Sequence, residues 1–334
     1  MKNICICGGG NLGHVVGGYL AAKPNTKVSL LTGHPRLWAK QLIITLPDSS
    51  YITGNLTNIS DNPEDSIPYS DIVIICLPGM YIREEIQKIK PYLRPNTIVG
   101  SIVSSTGFFF QAHDIIPRQP IFGFQRVPFI SRIEEYGHKA NLLGTKTSLK
   151  VVIENFNDVE TLRSLLSDLF SVPVELLDNY LEVSLSNSNP LLHTSRLYSM
   201  WSNWHDGVYY PRQSLFYEEW TPEAAQLYID MDNEFQHLLD ELGVRKGAIP
   251  PVLNYYESHD AISLCNKISS IKAFKGIKSP MIHTEKGWIP DVNSRYFKED
   301  FGYGLRFIHS LALKNHIDAM FIKKVYAWGN KMIK

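Results

Sequence analysis

The chain has 334 residues, too many for one typical hydrophobic core and suited to two domains. Its 33 lysines plus arginines balance 33 aspartates plus glutamates, so there is no net basic field to hold a polyanion, which excludes nucleic acid as the natural partner. The apolar run at residues 4–7 is too short for a signal-peptide core, and no stretch of about 18 uninterrupted apolar residues occurs, which excludes a membrane span and points to a soluble, cytoplasmic protein.

The first predicted element is also the most informative. An apolar run at residues 3–7 leads straight into Gly8-Gly9-Gly10-Asn11-Leu12-Gly13, a G-x-G-x-x-G turn, and then into a helical pattern from about residue 11 to 22. Strand, glycine turn and helix in that order predict a dinucleotide site. Gly8 allows the sharp turn, Gly10 removes the Cβ that would hold a pyrophosphate off the backbone, and Gly13 lets the helix pack closely on the strand. The phosphates are then expected at the helix start, against unpaired N–H groups and the positive end of its dipole.

The chain continues with a strand at 27–32, a helix near 37–44, a strand at 71–77, a helix near 82–92 and a strand at 97–103. That alternation predicts βαβ units and a doubly wound parallel sheet buried on both faces, a Rossmann-type α/β domain. Pro78 and Gly79 break the chain after the third strand, and ligands of open sheets bind at such strand ends, so Leu77 and Pro78 are expected to contact the cofactor. Further β-rich segments at 120–129, 139–145, 149–155 and 172–178, with a helix at 158–170, extend the sheet in an order the sequence does not give. The cysteines Cys5, Cys7, Cys76 and Cys265 lack metal-ligand spacing and read as buried reduced thiols, so no metal is expected. The first domain is assigned residues 1–178.

Beyond about residue 179 the pattern turns helical, with apolar faces in 222–242, 261–274 and 304–332 and loops at 245–251 and 276–293. This predicts an all-helical second domain, residues 179–334.

Which dinucleotide is bound depends on the end of the second strand. NAD sites usually place Asp or Glu there to hold the ribose 2′-hydroxyl, but the segment runs Leu31-Thr32-Gly33-His34-Pro35-Arg36. Thr32 can donate a hydrogen bond and Arg36 can neutralise a 2′-phosphate, so NADP(H) is expected ahead of NAD(H).

The second domain must supply the acid–base chemistry and a substrate anchor. Asn189-Pro190 is a good helix start, and it places His193 one turn in. Histidine is the usual general acid–base because its proton moves near neutral pH. Downstream, Arg295, Glu299 and Asp300 lie in a predicted loop leading into a helix. Arginine can grip a substrate carboxylate in a bidentate fork, and a carboxylate beside a histidine orients its ring. Spacing leaves the alternatives open: Asp300 could cap the following helix, and Arg295 could pair with Glu299.

Taken together, the turn at residues 8–13, Asn189-Pro-Leu-Leu-His193 and Arg295-Tyr-Phe-Lys-Glu-Asp300-Phe-Gly-Tyr-Gly-Leu305 resemble the opine dehydrogenase family, across both domains and in order. The resemblance implies a Rossmann domain followed by a helical domain, with His193 and Asp300 as a catalytic pair and Arg295 on the carboxylate of a 2-keto acid. It also implies an amino acid as second substrate, reductively joined to the keto acid. Phe122-Gly-Phe-Gln125-Arg126-Val-Pro128 matches the family more loosely and makes Gln125 a candidate for positioning substrate.

Rival readings are a ketopantoate-type or 3-hydroxyacid dehydrogenase, which would reduce a carbonyl without an amine, and a dinucleotide-binding sensor without turnover. The first typically uses a lysine at the start of the interdomain helix, and residues 185–204 contain none. Tyr198, Trp201, Trp204, His205 and Tyr209 form an aromatic stripe that could line an amino-acid pocket or simply be core. Homodimer and monomer are both compatible with the sequence.

Overall fold

The computed structural model describes residues 1–105 and 107–333, and the chain forms two compact units, Met1–Ser186 and Asn187–Lys334. The first contains β1 (Lys2–Cys7), α1 (Asn11–Ala21), β2 (Thr26–Leu31), β3 (Gln41–Thr45), β4 (Tyr51–Ser60), β5 (Ile72–Ile75), α2 (Gly79–Ile89), β6 (Ile98–Ile102) and α3 (Phe108–Ile115). It continues with β7 (Ile121–Phe124), β8 (Phe129–Glu135), β9 (Lys139–Thr145), β10 (Leu149–Glu154), α4 (Val159–Phe170), β11 (Val174–Leu176) and α5 (Tyr180–Ser184).

All these strands join one sheet of order β11-β10-β7-β6-β5-β1-β2-β4-β3-β9-β8. Its centre is parallel, β1 lying between β2 and β5. Side chains alternate across a strand, so Ile4 and Ile6 enter the core on one face of the sheet while Cys5 and Cys7 enter the core on the other. Burial on both faces is what the unbroken apolar runs of β1 and β5 require. The four cysteines are free and buried.

Two features differ from the sequence expectation. The helix expected near 37–44 is a short 3₁₀ turn, Pro35–Leu37, followed by β3. Leu42 and Ile44 are buried and Gln41 is exposed, a period of two, and β3 pairs antiparallel with β4, a strand the sequence reading did not assign. The sheet is accordingly mixed, with β3/β4, β8/β9 and β7/β10 antiparallel around the parallel centre.

The second unit contains α6 (Asn189–Trp201), α7 (Pro222–Glu241), α8 (Val252–Tyr255), α9 (Ala261–Ser270), β12 (Met281–Thr284), β13 (Gly287–Pro290), a π-helix (Tyr296–Leu305), α10 (Arg306–Lys314) and α11 (Met320–Ile333). It is helical as expected, except that the predicted loop at 276–293 includes the antiparallel hairpin β12–β13. The apolar helical pattern over 304–332 is carried mainly by α10 and α11, separated near His316, whose φ of 58° is incompatible with a continuing right-handed helix. Helix starts follow their capping residues: Thr221 accepts from Ala224 N before Pro222, and Asp260 with Ser263 forms a capping box on α9. Trp201, Phe297 and Phe301 are essentially inaccessible and stack in the core, with Trp328 packed against both phenylalanines. Among the described residues no helix is long and apolar enough to cross a membrane.

Candidate active site

In the first unit the functional geometry begins where β1 ends. Gly8 has φ of +119°, a conformation side chains avoid, and a Cβ there would lie 2.7 Å from Cys76 O and 2.9 Å from Leu77 Cδ2. Leu77 therefore packs on the turn itself. Gly10 caps α1 with extended backbone and no side-chain hydrogen bond, and a Cβ on it would meet nothing within 4 Å. An uncapped helix start below open space suits an anionic ligand. At Gly13 a Cβ would be driven into the Gly8 carbonyl oxygen, so only glycine lets α1 leave the turn at this angle.

Gly13→Ala is expected to lower stability by about 1–3 kcal/mol, the usual result of overpacking a dense site. It should also weaken dinucleotide binding about tenfold or more, equivalent to at least ~1.4 kcal/mol. Thermal unfolding and a fluorescence titration with NADPH measure the two effects. An unchanged Kd would mean the turn does not hold the phosphates.

Side chains around the turn are fixed by partners that sequence reasoning missed. His14 donates from Nδ1 to Gly10 O at 2.9 Å and accepts at Nε2 from Gly137 N at 2.7 Å, which makes it a neutral linker between the turn and the β8–β9 connection. Burial holds its pKa below the usual histidine value. Its ring packs on Trp38 at 4.0 Å and Tyr136 at 5.0 Å, and these two with Thr32 leave no room for a Cβ at Gly9. Asn11 Oδ1 accepts from Ile133 N, so its side chain secures β8, and its backbone N–H is what it can offer a ligand. The helical position of His14 was visible in the sequence, but its contact with Gly137, 123 residues away, was not.

Thr32 is buried, with its N–H donated to Ser60 O, and Arg36 is exposed on the 3₁₀ turn. Pro78 is exposed and caps α2. Gln125 is tied within this unit, its Nε2 donating to Glu182 O at 3.0 Å.

In the second unit α6 starts one residue earlier than Asn189 would cap it. Ser188 is the cap and carries no side-chain cap bond, and Asn187 Oδ1 accepts from Asn189 N instead. His193 lies one turn in and is 8% exposed. Its Nδ1 is 2.8 Å from Asp300 Oδ2 and its Nε2 is 2.8 Å from Tyr217 Oη. A carboxylate only accepts, so the proton sits on Nδ1 and the Tyr217 hydroxyl donates to Nε2. Tyr296 packs edge-on against the His193 ring at 4.9 Å.

Asp300 does not cap a following helix. The predicted loop around it is the π-helix, which runs directly into α10. Tyr296 and Asp300, four residues apart, both reach His193 from this helix. Gly304 permits the approach, because a Cβ there would lie 2.5 Å from Pro190 Cγ at the start of α6. Such π segments recur at functional sites.

Arg295 pairs with Glu299 at 3.2 Å and its side chain is 74% exposed. It immediately precedes Tyr296, whose ring packs on His193, and its charge partly offsets the burial that raises the Tyr217 and Tyr296 pKa values. Tyr217 and Tyr296 are site residues that sequence reasoning did not assign. Tyr296 stood inside the quoted motif, whereas Tyr217 lies in Ser214-Leu-Phe-Tyr-Glu-Glu-Trp220, which carries no signature.

Residues 176–333 match the family model described as NAD/NADP octopine/nopaline dehydrogenase, alpha-helical domain, and residues 4–144 match that of ketopantoate reductase PanE/ApbA. The chain is 26% identical to a tauropine dehydrogenase from Arabella iricolor, covering 100% of this chain and 92% of that one. It is also 26% identical to an octopine dehydrogenase from Pecten maximus, covering 99% and 90%. The second unit thus carries the helical domain of the octopine/nopaline dehydrogenases, and the chain is similar from end to end to proteins named as opine dehydrogenases. An octopine dehydrogenase solved with NADH and L-arginine superposes with a TM-score of 0.87 at 25% identity, covering 100% of this chain and 90% of that one.

The ketopantoate reductase family model matches only residues within the first unit, whereas the octopine/nopaline model matches the second. Much of the aromatic stripe proves structural. Trp201 is core, and Tyr198 packs edge-on against Trp328 at 5.3 Å. Trp204 and Tyr209 instead line a surface pocket of about 430 Å³ with Asp206, Thr284, Lys286 and Ile289.

Proposed function

We propose that this protein reductively condenses the amine of an amino acid with the carbonyl of a 2-keto acid, with NADP(H) as the preferred reductant, in the cytoplasm, where its buried thiols stay reduced. The observation that carries the reading is the buried His193–Asp300 pair, with Arg295 next in the chain to Tyr296, which packs on His193. The tauropine and octopine dehydrogenases that resemble the chain from end to end support it.

The residues of the first unit fit the dinucleotide. Gly8, Gly10 and Gly13 shape the turn, the N–H groups of Asn11 and Leu12 at the start of α1 would face the pyrophosphate, and Leu77 and Pro78 would border it. When bound, the cofactor supplies the reducing equivalent. Thr32 and Arg36 stand where NAD sites carry a carboxylate, and an exposed guanidinium there would neutralise a 2′-phosphate.

In the second unit Arg295 would exchange Glu299 for the keto-acid carboxylate. The exchange is easy, because an exposed ion pair contributes only about 0–1 kcal/mol. Gripping that carboxylate orients the electrophilic carbon. His193, with Asp300 holding its proton on Nδ1, would take a proton from the substrate ammonium so that the amine lone pair can attack. It would return a proton as the carbinolamine oxygen leaves. Gln125 would help position substrate.

NADPH oxidation by a 2-keto acid panel, with and without an amino-acid mixture, tests the function. We expect oxidation only when both substrates are present and a higher kcat/KM for NADPH than for NADH. Amine-independent oxidation would favour simple carbonyl reduction, and equal or better use of NADH would overturn the cofactor preference alone.

A further inference from the structure

We propose that Tyr217 is the proton relay between His193 and the reacting substrate, so that the acid–base unit is Asp300–His193–Tyr217. This rests on the acid–base reading of His193 given above.

The argument starts from which His193 atoms are accessible. Nδ1 is held by Asp300, Tyr296 and Phe216 pack edge-on against the ring, and the residue is 8% exposed. Nε2, the nitrogen that must gain and lose the proton, is covered by the Tyr217 hydroxyl at 2.8 Å. The hydrogen-bonding position of Nε2 is thus taken by Tyr217, and Tyr217 is built in. It is 6% exposed, its ring stacks on Phe274 at 4.1 Å, and Phe216 packs edge-on against it at 4.8 Å.

The backbone leading to it is tied as well. Phe216 N donates to Ile277 O, Leu215 N donates to Glu219 Oε1, and the buried Arg196 donates from Nε to Phe216 O at 2.9 Å. Arg196 keeps a guanidinium buried to the point that its pKa falls to about 10, and it spends that charge on the segment that aims Tyr217. His193 and Arg196 are three residues apart on α6, so one helix face sets both ends of the contact.

The relay balances without ionising the tyrosine. As the substrate N–H bond breaks, that proton bonds to Tyr217 Oη while the original hydroxyl proton passes to His193 Nε2, and the amine keeps its electron pair. Tyr217 ends neutral and His193 ends as imidazolium against Asp300. The reverse transfer protonates the departing carbinolamine oxygen, which leaves as water. Burial raises the Tyr217 pKa above the usual phenol value, with Tyr296, Tyr256 and Asp300 adding to the rise and Arg295 opposing it, in keeping with a relay that passes the proton through a neutral phenol.

The test is Tyr217→Phe in the full chain, with His193→Ala and Phe274→Leu alongside. The readouts are dinucleotide Kd, steady-state kcat and the solvent-deuterium proton inventory of kcat. Tyr217→Phe keeps the ring and should leave Kd unchanged, lower kcat about 10²-fold, and turn a curved two-proton inventory into a linear one. Phe274→Leu loosens the stacking and keeps the hydroxyl, so its inventory should stay curved and its kcat should fall less. Near-normal kcat in Tyr217→Phe, or a low kcat with an unaltered inventory, overturns the relay. If His193→Ala is inactive while Tyr217→Phe behaves as wild type, only the relay falls. If His193→Ala keeps turning over, the relay falls together with the acid–base reading it rests on.

Discussion

Replacing His193 with alanine is expected to lower kcat by about 10²- to 10⁴-fold, the usual contribution of a positioned general acid–base. The dinucleotide Kd should not change, because every residue assigned to that ligand lies in the first unit. The substitution also removes the donor that satisfies Asp300, which is 8% exposed. Breaking a buried pair from one side typically costs about 3–5 kcal/mol, so the variant should melt earlier. Activity must therefore be measured at a temperature where fluorescence and circular dichroism both show the variant still folded. His193→Gln, which keeps a polar donor near Asp300, separates the effects: recovered stability with kcat still low marks a chemical role. Near-normal turnover in His193→Ala would refute the assignment.

How much of this site the sequence reveals depends on how local each feature is. The glycine turn is legible because its whole logic lies within residues 8–13 and the strand and helix that flank them. The swap of a helix for β3 arose because Leu37, Trp38, Leu42, Ile43 and Ile44 satisfy both a helical and a strand period, and pairing with β4 settles it only in three dimensions. The contact of His193 with Asp300 spans 107 residues, and spacing alone left Asp300 divided between capping and pairing. The family resemblance brought the two together on paper before the distance did. The π-helix was invisible because apolar spacing is tested against 3.6 residues per turn, and a segment with i→i+5 bonds reads as irregular. Tyr217 escaped for a plainer reason: it is an aromatic among aromatics, and only its partner atom sets it apart.

Asp300→Asn is expected to lower kcat by about 10³- to 10⁴-fold, on the precedent of serine-protease triads whose aspartate is made asparagine. The change keeps shape and volume, so packing around the π-helix should survive. What it alters is where the His193 proton resides. A carboxylate can only accept, which places the proton on Nδ1 and leaves Nε2 as the acceptor facing Tyr217. An asparagine amide can donate to Nδ1, which moves the proton to Nε2 and removes the acceptor on the side where the proton must be taken up. It also withdraws the negative charge that stabilises imidazolium in the step where His193 is protonated. Arg295 is untouched, so KM for the keto acid should change little while kcat collapses. Asp300→Glu, with its charge retained but its reach altered, should recover part of the rate. If Asp300 served only to anchor the π-helix against α6, both substitutions would lower the melting temperature and leave kcat nearly intact. A kcat loss in Asp300→Asn without a matching loss of stability is the result that distinguishes an orienting carboxylate from a structural one.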